Sequence, residues 1–198
     1  MFVLDSDCDT PSQIHRLRNL ALDNDHAHVD FPKLRRGGVD GSFFALYVPA
    51  ALDSEEAFTY ADVLLSDVTR TVEANKDMAD FAVSAEGAFM NKDKGLFAVF
   101  LGLENGSAIG ESFERLKYFY DNGIRYVTLC HSADNQICDS CASSTKRWGG
   151  LSPFGKELVS EMNRMGMLID VSHASDDTFY AVLECSAAPV VATHSCCR

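Results

Sequence analysis

Residues 150–175 read GLSPFGKELVSEMNRMGMLIDVSHAS, which predicts a helix followed directly by a strand. The Ser-Pro pair at 152–153 is typical of a helix start, because Ser caps free backbone N–H groups and Pro fits the first turn. Gly166 is typical of a helix end. The apolar run 167–171 then predicts a buried strand, and His173 follows its end. The stretch therefore predicts one helix-strand unit of an α/β protein.

The same alternation recurs along the 198 residues, where short β-branched or aromatic runs are separated by longer helical patterns. Most runs are almost continuously apolar, as expected for strands that are buried on both faces of a parallel sheet. Repeated units of this spacing predict a parallel α/β fold. The predicted strands lie at 2–4, 42–48, 96–103, 124–130, 167–171 and 189–193, with a weaker one at 81–83. Helices are predicted over 54–75, 110–122 and 153–165, and another from 175 onward.

Composition and charge exclude several classes of function. Seventeen basic against 29 acidic residues give a formal net charge of −12, which disfavours nucleic acid and anionic membrane surfaces as partners. No apolar run approaches the roughly 20 residues of a membrane-spanning helix, and no leader-like segment precedes the first strand. Seven cysteines cannot pair completely, so we expect reduced thiols and a cytoplasmic location.

The cysteines at 138–141 form a C-x-x-C motif, which occurs in redox pairs and in zinc sites. No second C-x-x-C accompanies it, and it lies in a polar loop rather than at a helix start. We therefore favour ordinary loop cysteines. The long polar stretch that contains them, 132–150, is too large for a simple connection, and such loops are usually functional.

Residues with metal-ligand chemistry follow five of the predicted strands. Because the carboxyl ends of parallel strands share one face, we expect these side chains to converge. Each residue alone has an ordinary structural role as its alternative, but the recurrence at five strand ends favours a shared site. The set comprises Asp5, Asp7 and Asp9 after the first strand, then Glu104, His131, His173 and His194. The other histidines, His15, His26 and His28, follow no strand.

Carboxylates and neutral imidazoles are the ligands of a hydrolytic divalent-metal centre. Two metal ions a few ångströms apart need a bridging carboxylate and can share a hydroxide. Bound cations would also neutralise the three aspartates near the N-terminus. Competing chemistries find no support, since the sequence contains no G-x-G-x-x-G, no P-loop and no G-x-S-x-G elbow.

Six segments together resemble the membrane (renal) dipeptidase family and its bacterial relatives, and the resemblance runs along the whole chain. It implies a zinc-dependent dipeptidase with a (β/α)8 TIM barrel of the metal-dependent hydrolase type, in a single domain over residues 1–198. The segments are VLDSDCDTP, GGVDGSFFALYVP, GLENGSAI, LKYFYDNGIRYVTLCHS, GLSPFGKELVSEMNRMGMLIDVSHAS and APVVATHS.

The resemblance also implies two divalent metal ions, zinc by preference, and a dipeptide substrate. Asp9 matches a ligand of the first ion, and Glu104 matches the carboxylate that bridges both. His173 and His194 match the ligands of the second ion. His131 matches a non-ligand histidine that binds the substrate and stabilises the tetrahedral intermediate, so it is the predicted catalytic residue. A hydroxide shared by both ions would attack the peptide carbonyl.

Two features depart from the family pattern. Asp7 stands where the family has a histidine ligand, so the site of Asp7, Asp9 and Glu104 would be all oxygen and would also suit Mn²⁺ or Mg²⁺. The chain ends at Arg198 after about six predicted strands, whereas a complete barrel takes about 250 residues. The missing part would carry a substrate-binding arginine and a water-positioning aspartate. We therefore expect a truncated barrel whose exposed strand edges make it unstable or self-associating, as a homo-oligomer.

Two other functions stay open at the level of sequence. One is a truncated, ligand-altered relic that binds metal or a partner without turnover. The other is a different metal-dependent amide hydrolase on the same barrel, since a fold does not fix the substrate.

Overall fold

The structure is a computed structural model that describes residues 1–14 and 19–196, so His15 lies outside the described residues. The described residues form two compact units. The first comprises Met1–Leu46 and Asp62–Leu101, and the second comprises Tyr47–Ala61 and the chain from Gly102 onward. The single domain predicted over residues 1–198 stays a prediction.

The first unit alternates strands with helices. In chain order the elements are β1 (Leu4–Cys8), α1 (Thr10–Ile14), α2 (Phe31–Arg36), β2 (Gly41–Tyr47), α3 (Ser54–Glu73), β3 (Ala79–Phe81), α4 (Ala85–Asp93) and β4 (Phe97–Glu104), of which β2, α3 and β4 contribute residues to both units. The strand order is β1-β2-β4, and β3 pairs with β4. The pairs β1-β2 and β3-β4 are parallel, with Leu4 opposite Gly41 and Ala79 opposite Phe97.

Strands β2 and β4 are buried on both faces, as their continuous apolar sequences predict. All eight residues of β4 are buried, and in β2 only Tyr47 is partly exposed. The ring of Phe43 in β2 stacks on that of Phe100 in β4, with centroids 4.8 Å apart. Neither strand therefore shows the polar-apolar alternation of a sheet that has one face in water.

The second unit continues the alternation after the end of β4. Its elements are a 3₁₀ turn (Gly106–Ile109), α5 (Phe113–Asp121), β5 (Ile124–Thr128), α6 (Pro153–Met165), β6 (Leu168–Asp170) and α7 (Asp176–Cys185). Strands β5 and β6 pair in parallel, with Tyr126 opposite Leu168. In the part of the chain that the structure describes, no helix is both long and apolar enough to cross a membrane.

Helix α6 begins and ends where the sequence predicts. The hydroxyl of Ser152 accepts a hydrogen bond from the backbone N–H of Gly155 at 2.8 Å, and Pro153 is the first helical residue. Gly166 follows the helix with a φ of +72°, in the left-handed region that favours glycine. These local signals determine where α6 begins and ends. Ser152 and Gly166 each form a hydrogen bond with a backbone group that has no partner within the helix.

The first strand differs from its prediction. Strand β1 begins at Leu4 and ends at Cys8, whereas the apolar run predicted a strand that ends at Leu4. The backbone N–H of Val3 donates to the Oδ2 atom of Asp40 at 2.7 Å instead of to a neighbouring strand. Asp5 and Asp7 consequently lie within a strand rather than after one.

The strand predicted at 189–193 is also wrong in extent, because only Val191 forms a bridge, with Asp170 of β6. Pro189 has no N–H to donate to a strand ladder. The N–H of Thr193 donates to the Oδ1 atom of Asp170 at 3.1 Å, and this side-chain acceptor replaces a backbone carbonyl. The segment therefore follows the edge of β6 for one residue only.

The C-x-x-C cysteines are thiols on a structured loop. All six cysteines that the structure describes are free. Cys138 is buried and Cys141 is exposed, so the two side chains have different surroundings. Burial raises the pKa of the Cys138 thiol, and its contact with the Cys130 thiol raises it further. A buried thiol that stays protonated is unreactive, which agrees with ordinary loop cysteines.

The close approach of β4 and β5 provides a test of this packing. A Cβ atom built on Gly102 would lie 2.1 Å from the ring of Tyr126, a fully buried residue. We expect Gly102→Ala to lower the free energy of unfolding by about 1–3 kcal/mol because it overpacks the core. Urea denaturation of the purified variant measures this change.

The matched control is Gly87→Ala in α4, where a new Cβ meets only the Ser84 hydroxyl, at 3.5 Å. Alanine favours helix over glycine by up to about 1 kcal/mol, so this variant should be at least as stable as the parent. Equal stability of the two variants would contradict the packing described for Gly102.

Candidate metal centre

Four predicted site residues come together in the second unit. The Oε1 atom of Glu104 lies 3.6 Å from Nε2 of His131, 3.4 Å from Nε2 of His173 and 3.5 Å from Nε2 of His194. The Nε2 atoms of His173 and His194 are 2.7 Å apart. The strand-end pattern thus correctly predicted that these residues converge.

Glu104 is the last residue of β4 and is almost completely buried, with 4% of its side chain exposed. Its carbonyl accepts a hydrogen bond from the N–H of Val48 at 3.0 Å. The next residue, Asn105, has a φ of +78° and donates its side-chain amide to the carbonyl of Val48 at 2.9 Å. Asparagine tolerates the left-handed region better than most residues, so it can turn the chain sharply after Glu104.

His173 occupies a tight turn after β6. It has a φ of +65°, and the N–H of Ala174 donates to the carbonyl of Val171 at 3.1 Å across the turn. This conformation is uncommon for a residue other than glycine and is strained. The carbonyl of His173 accepts from the N–H of Cys141 at 2.8 Å, so the long loop holds the turn in place.

The same loop also holds His131. The hydroxyl of Ser140 donates to the carbonyl of His131 and lies 3.3 Å from the carbonyl of His173. The ring of His131 packs against the edge of Tyr47, with centroids 4.8 Å apart, and lies 4.1 Å from the ring of His173. Ser140 therefore connects the two histidine-bearing segments.

Asp134 fixes the loop itself. Burial alone would raise its pKa, but hydrogen bonds from the N–H of Ser140 and from the hydroxyls of Thr145 and Ser143 lower the pKa below its usual value. The Ser140 bond measures 2.8 Å. A carboxylate that is ionised and fully engaged in this way orders a loop that has no helix or strand of its own.

The donor set and its spacing fit a divalent metal ion. Zinc bonds to nitrogen and oxygen are about 2.0–2.2 Å long, so two ligands of a tetrahedral ion lie about 3.3–3.6 Å apart. The separations of 3.4 to 3.6 Å between the Glu104 oxygen and the three imidazole nitrogens match this range. The 2.7 Å between His173 and His194 is instead a hydrogen-bond distance, and two such nitrogens attract each other only through a proton or a cation.

His131 is as close to the Glu104 carboxylate as the two predicted histidine ligands are. One ligand atom from each of Glu104, His131 and His173 lies within 4.8 Å of the others. The division into ligands (His173 and His194) and a substrate-binding residue (His131) therefore stays a prediction.

The two predicted aspartate ligands belong to the first unit. Asp7 is half-buried in β1, and its N–H lies 3.4 Å from the Oδ1 atom of Asp5. Asp9 follows the strand and lines a cavity of about 350 Å³ together with His26 and His28. The strand-end pattern does not associate those histidines with Asp9, because neither follows a strand. The assignment of Asp7 and Asp9 as ligands stays a prediction.

Comparison with known proteins identifies the family. The family model described as membrane dipeptidase, peptidase family M19, matches residues 1–198. The chain belongs to the membrane dipeptidase family. It is 33% identical over 192 residues to dipeptidase aclJ of Aspergillus oryzae, an alignment that covers 93% of this chain and 46% of that protein. The chain spans about half the length of the curated relatives it matches.

Solved structures of this family have the same fold. Dipeptidase AC, a metallopeptidase of family M19, matches with a TM-score of 0.89 at 26% identity, over 98% of this chain and 63% of that one. A metallopeptidase from Rhodobacter sphaeroides, solved with a phosphinate mimic of the dipeptide L-Ala-D-Ala, has a TM-score of 0.89 at 24% identity, over 98% and 65%. These matches confirm the predicted α/β fold class, that of the M19 dipeptidase barrel, over the part that the chain spans.

The structure adds residues that the strand-end pattern did not identify. Asn105 ties the turn after Glu104 to the carbonyl of Val48, and Ser140 contacts the carbonyls of His131 and His173. Their sequence positions do not distinguish them from ordinary loop residues. Asp170 had a signal, because it is the one charged residue in the apolar run 167–171. It is completely buried and accepts hydrogen bonds from Thr193, the residue before His194.

The proposed ligand role of Glu104 can be tested by removing its charge. We expect Glu104→Gln to weaken zinc binding by more than about 100-fold, because loss of a mere hydrogen-bond partner of a ligand already weakens metal binding about 10–100-fold. Competition with a chromophoric chelator measures the affinity. The control is Glu184→Gln, which makes the same charge change at an exposed position of α7. Equal zinc affinity of both variants would remove Glu104 from the metal centre.

Proposed function

We propose that this protein hydrolyses dipeptides at a centre of divalent metal ions. The observation that carries the proposal is the buried Glu104 carboxylate, which faces the Nε2 atoms of three histidines at 3.4 to 3.6 Å. Membership of the membrane dipeptidase family and the metallopeptidase character of its structural relatives support it. Because the chain spans about half of its curated relatives, the proposal concerns the activity of the whole protein.

Two ions are proposed, with Glu104 shared between them. Glu104, His173 and His194 would hold one ion, and their oxygen and nitrogen atoms suit zinc. Asp7, Asp9 and Glu104 would hold the other, where oxygen ligands also suit Mn²⁺ or Mg²⁺. When bound, such ions lower the pKa of water and polarise a carbonyl, which is the chemistry that peptide hydrolysis needs.

His131 is proposed to contact the substrate. Its side chain is partly exposed and can therefore reach a bound molecule, whereas Glu104 is almost completely buried. The contact of its ring with Tyr47 and the hydrogen bond from Ser140 to its carbonyl restrict its position. A fixed imidazole N–H beside the peptide carbonyl stabilises negative charge as it develops on that oxygen.

A second candidate is a metal-binding protein without turnover. The observation that favours it is Asp7, which stands where the family resemblance places a histidine ligand. An extra carboxylate reduces the positive charge of the centre by one unit, and this would weaken its action on bound water. The predicted cytoplasmic location and self-association accompany either function and stay predictions.

Hydrolysis of L-Ala-D-Ala by the zinc-loaded protein tests the proposed function, since a mimic of that dipeptide is bound in the R. sphaeroides relative. Chelation should abolish hydrolysis, and added Zn²⁺ or Mn²⁺ should restore it. We expect His131→Ala to lower turnover about 100–1,000-fold, because it removes one donor to the developing oxyanion. Its metal content, measured by elemental analysis, should stay at the parent value.

Two results would contradict this account in different ways. Loss of bound metal in the His131→Ala variant would place His131 among the ligands. Full metal occupancy without hydrolysis of any dipeptide would support the second candidate, a metal-binding protein without turnover.

A further inference from the structure

Asp170 is a completely buried carboxylate at the end of β6, and it accepts five hydrogen bonds. Its Oδ1 atom accepts from the N–H and hydroxyl of Ser172, at 3.0 and 2.8 Å, and from the N–H of Thr193 at 3.1 Å. Its Oδ2 atom accepts from the hydroxyls of Thr128 at 2.6 Å and Thr193 at 2.8 Å. All five neighbouring groups donate, so both oxygens of Asp170 act as acceptors.

The hydrogen bonds of Thr193 determine where the proton of His194 lies. A threonine hydroxyl has one proton to donate, and that proton is directed to Oδ2 of Asp170. The Nδ1 atom of His194 is 2.9 Å from the same hydroxyl oxygen. Since the hydroxyl proton is already used, Nδ1 must carry the proton and donate it to Thr193. The Nε2 atom of a neutral His194 is then unprotonated, so in its 2.7 Å pair with Nε2 of His173 it is the acceptor.

The backbone of His194 is tied to the same carboxylate. The N–H of His194 donates to the hydroxyl of Ser172 at 3.2 Å, and that hydroxyl donates to Asp170. Thr193 therefore links the ring of His194 to Asp170, and Ser172 links the backbone N–H of His194 to the same carboxylate. The other ring nitrogen, Nε2, lies 3.5 Å from Oε1 of Glu104.

We propose that Asp170 is a positioning residue that acts through the Thr193 hydroxyl to fix the Nδ1–H tautomer of His194 and so keeps Nε2 ready to bind a metal ion. The arrangement places a threonine between carboxylate and histidine, whereas metal-binding histidines usually donate to such a partner directly. The inference rests on the proposed function in one respect, which is that His194 is a metal ligand. The tautomer itself can be measured without any metal.

The first experiment measures the tautomer in the metal-free protein by ¹⁵N nuclear magnetic resonance of its histidine rings. The sample is held at about pH 8.5, well above the ordinary histidine pKa of about 6.5, so that the rings are neutral. We expect His194 to show a protonated Nδ1 and an unprotonated Nε2. A protonated Nε2 in the parent protein overturns the proposal directly, with no variant needed.

The second experiment compares three variants. Thr193→Val removes the hydroxyl and keeps the side-chain shape, so the His194 tautomers should mix and zinc affinity should fall about 10–100-fold. Thr193→Ser restores a hydroxyl and should recover both properties. Thr128→Val is the matched control, because Thr128 donates to the same Asp170 oxygen from the end of β5, a segment separate from Thr193 and His194.

The outcomes separate the positioning role from a purely structural one. The proposal requires that Thr193→Val changes the tautomer and that Thr128→Val leaves it unchanged. The same change in both variants, or in neither, overturns it. If the parent shows the expected tautomer but binds no zinc, the proposed metal function fails while the action of Asp170 on His194 stands.

Discussion

The carboxylate of Glu104 is buried at the end of β4, and the Nε2 atoms of three histidines surround it. A charge in this position is unfavourable unless it is paired or binds a cation. The residues around Glu104 must therefore supply positive charge or help to bind a metal ion. The histidines come from segments after β5, after β6 and beyond the bridge at Val191. The parallel arrangement of the strands brings these segments to one end of the second unit. The site therefore depends on the fold, because only the parallel strand arrangement brings these distant segments together.

Positions in this centre are held by backbone contacts as much as by side chains. Asn105 and His173 are the two residues other than glycine with positive φ in the described chain, and both lie at the site. Such conformations persist only where surrounding contacts enforce them. The long loop supplies those contacts for His173 through Cys141 and Ser140. The long loop, residues 132–150, therefore has a structural role at the centre.

Sequence reasoning predicted the features whose signals are local. It correctly predicted the ends of α6 at Ser152 and Gly166 and the buried strands β2 and β4. Each of these features depends on residues that are neighbours in the sequence. The convergence of Glu104 with three histidines followed from topology. The Asp170 network could not be predicted, because its partners, such as Thr128, lie up to 42 positions away. The start of β1 could not be predicted for the same reason. The backbone N–H of Val3 donates to Asp40, which lies 37 positions away.

The most direct test of the metal centre is a crystal structure of the zinc-loaded protein with anomalous diffraction data collected at the zinc edge. The account predicts an anomalous peak about 2.0–2.2 Å from a carboxylate oxygen of Glu104 and from the Nε2 atoms of His173 and His194. Zinc bound elsewhere, with no peak beside Glu104, would contradict the central claim that this buried carboxylate organises a metal site.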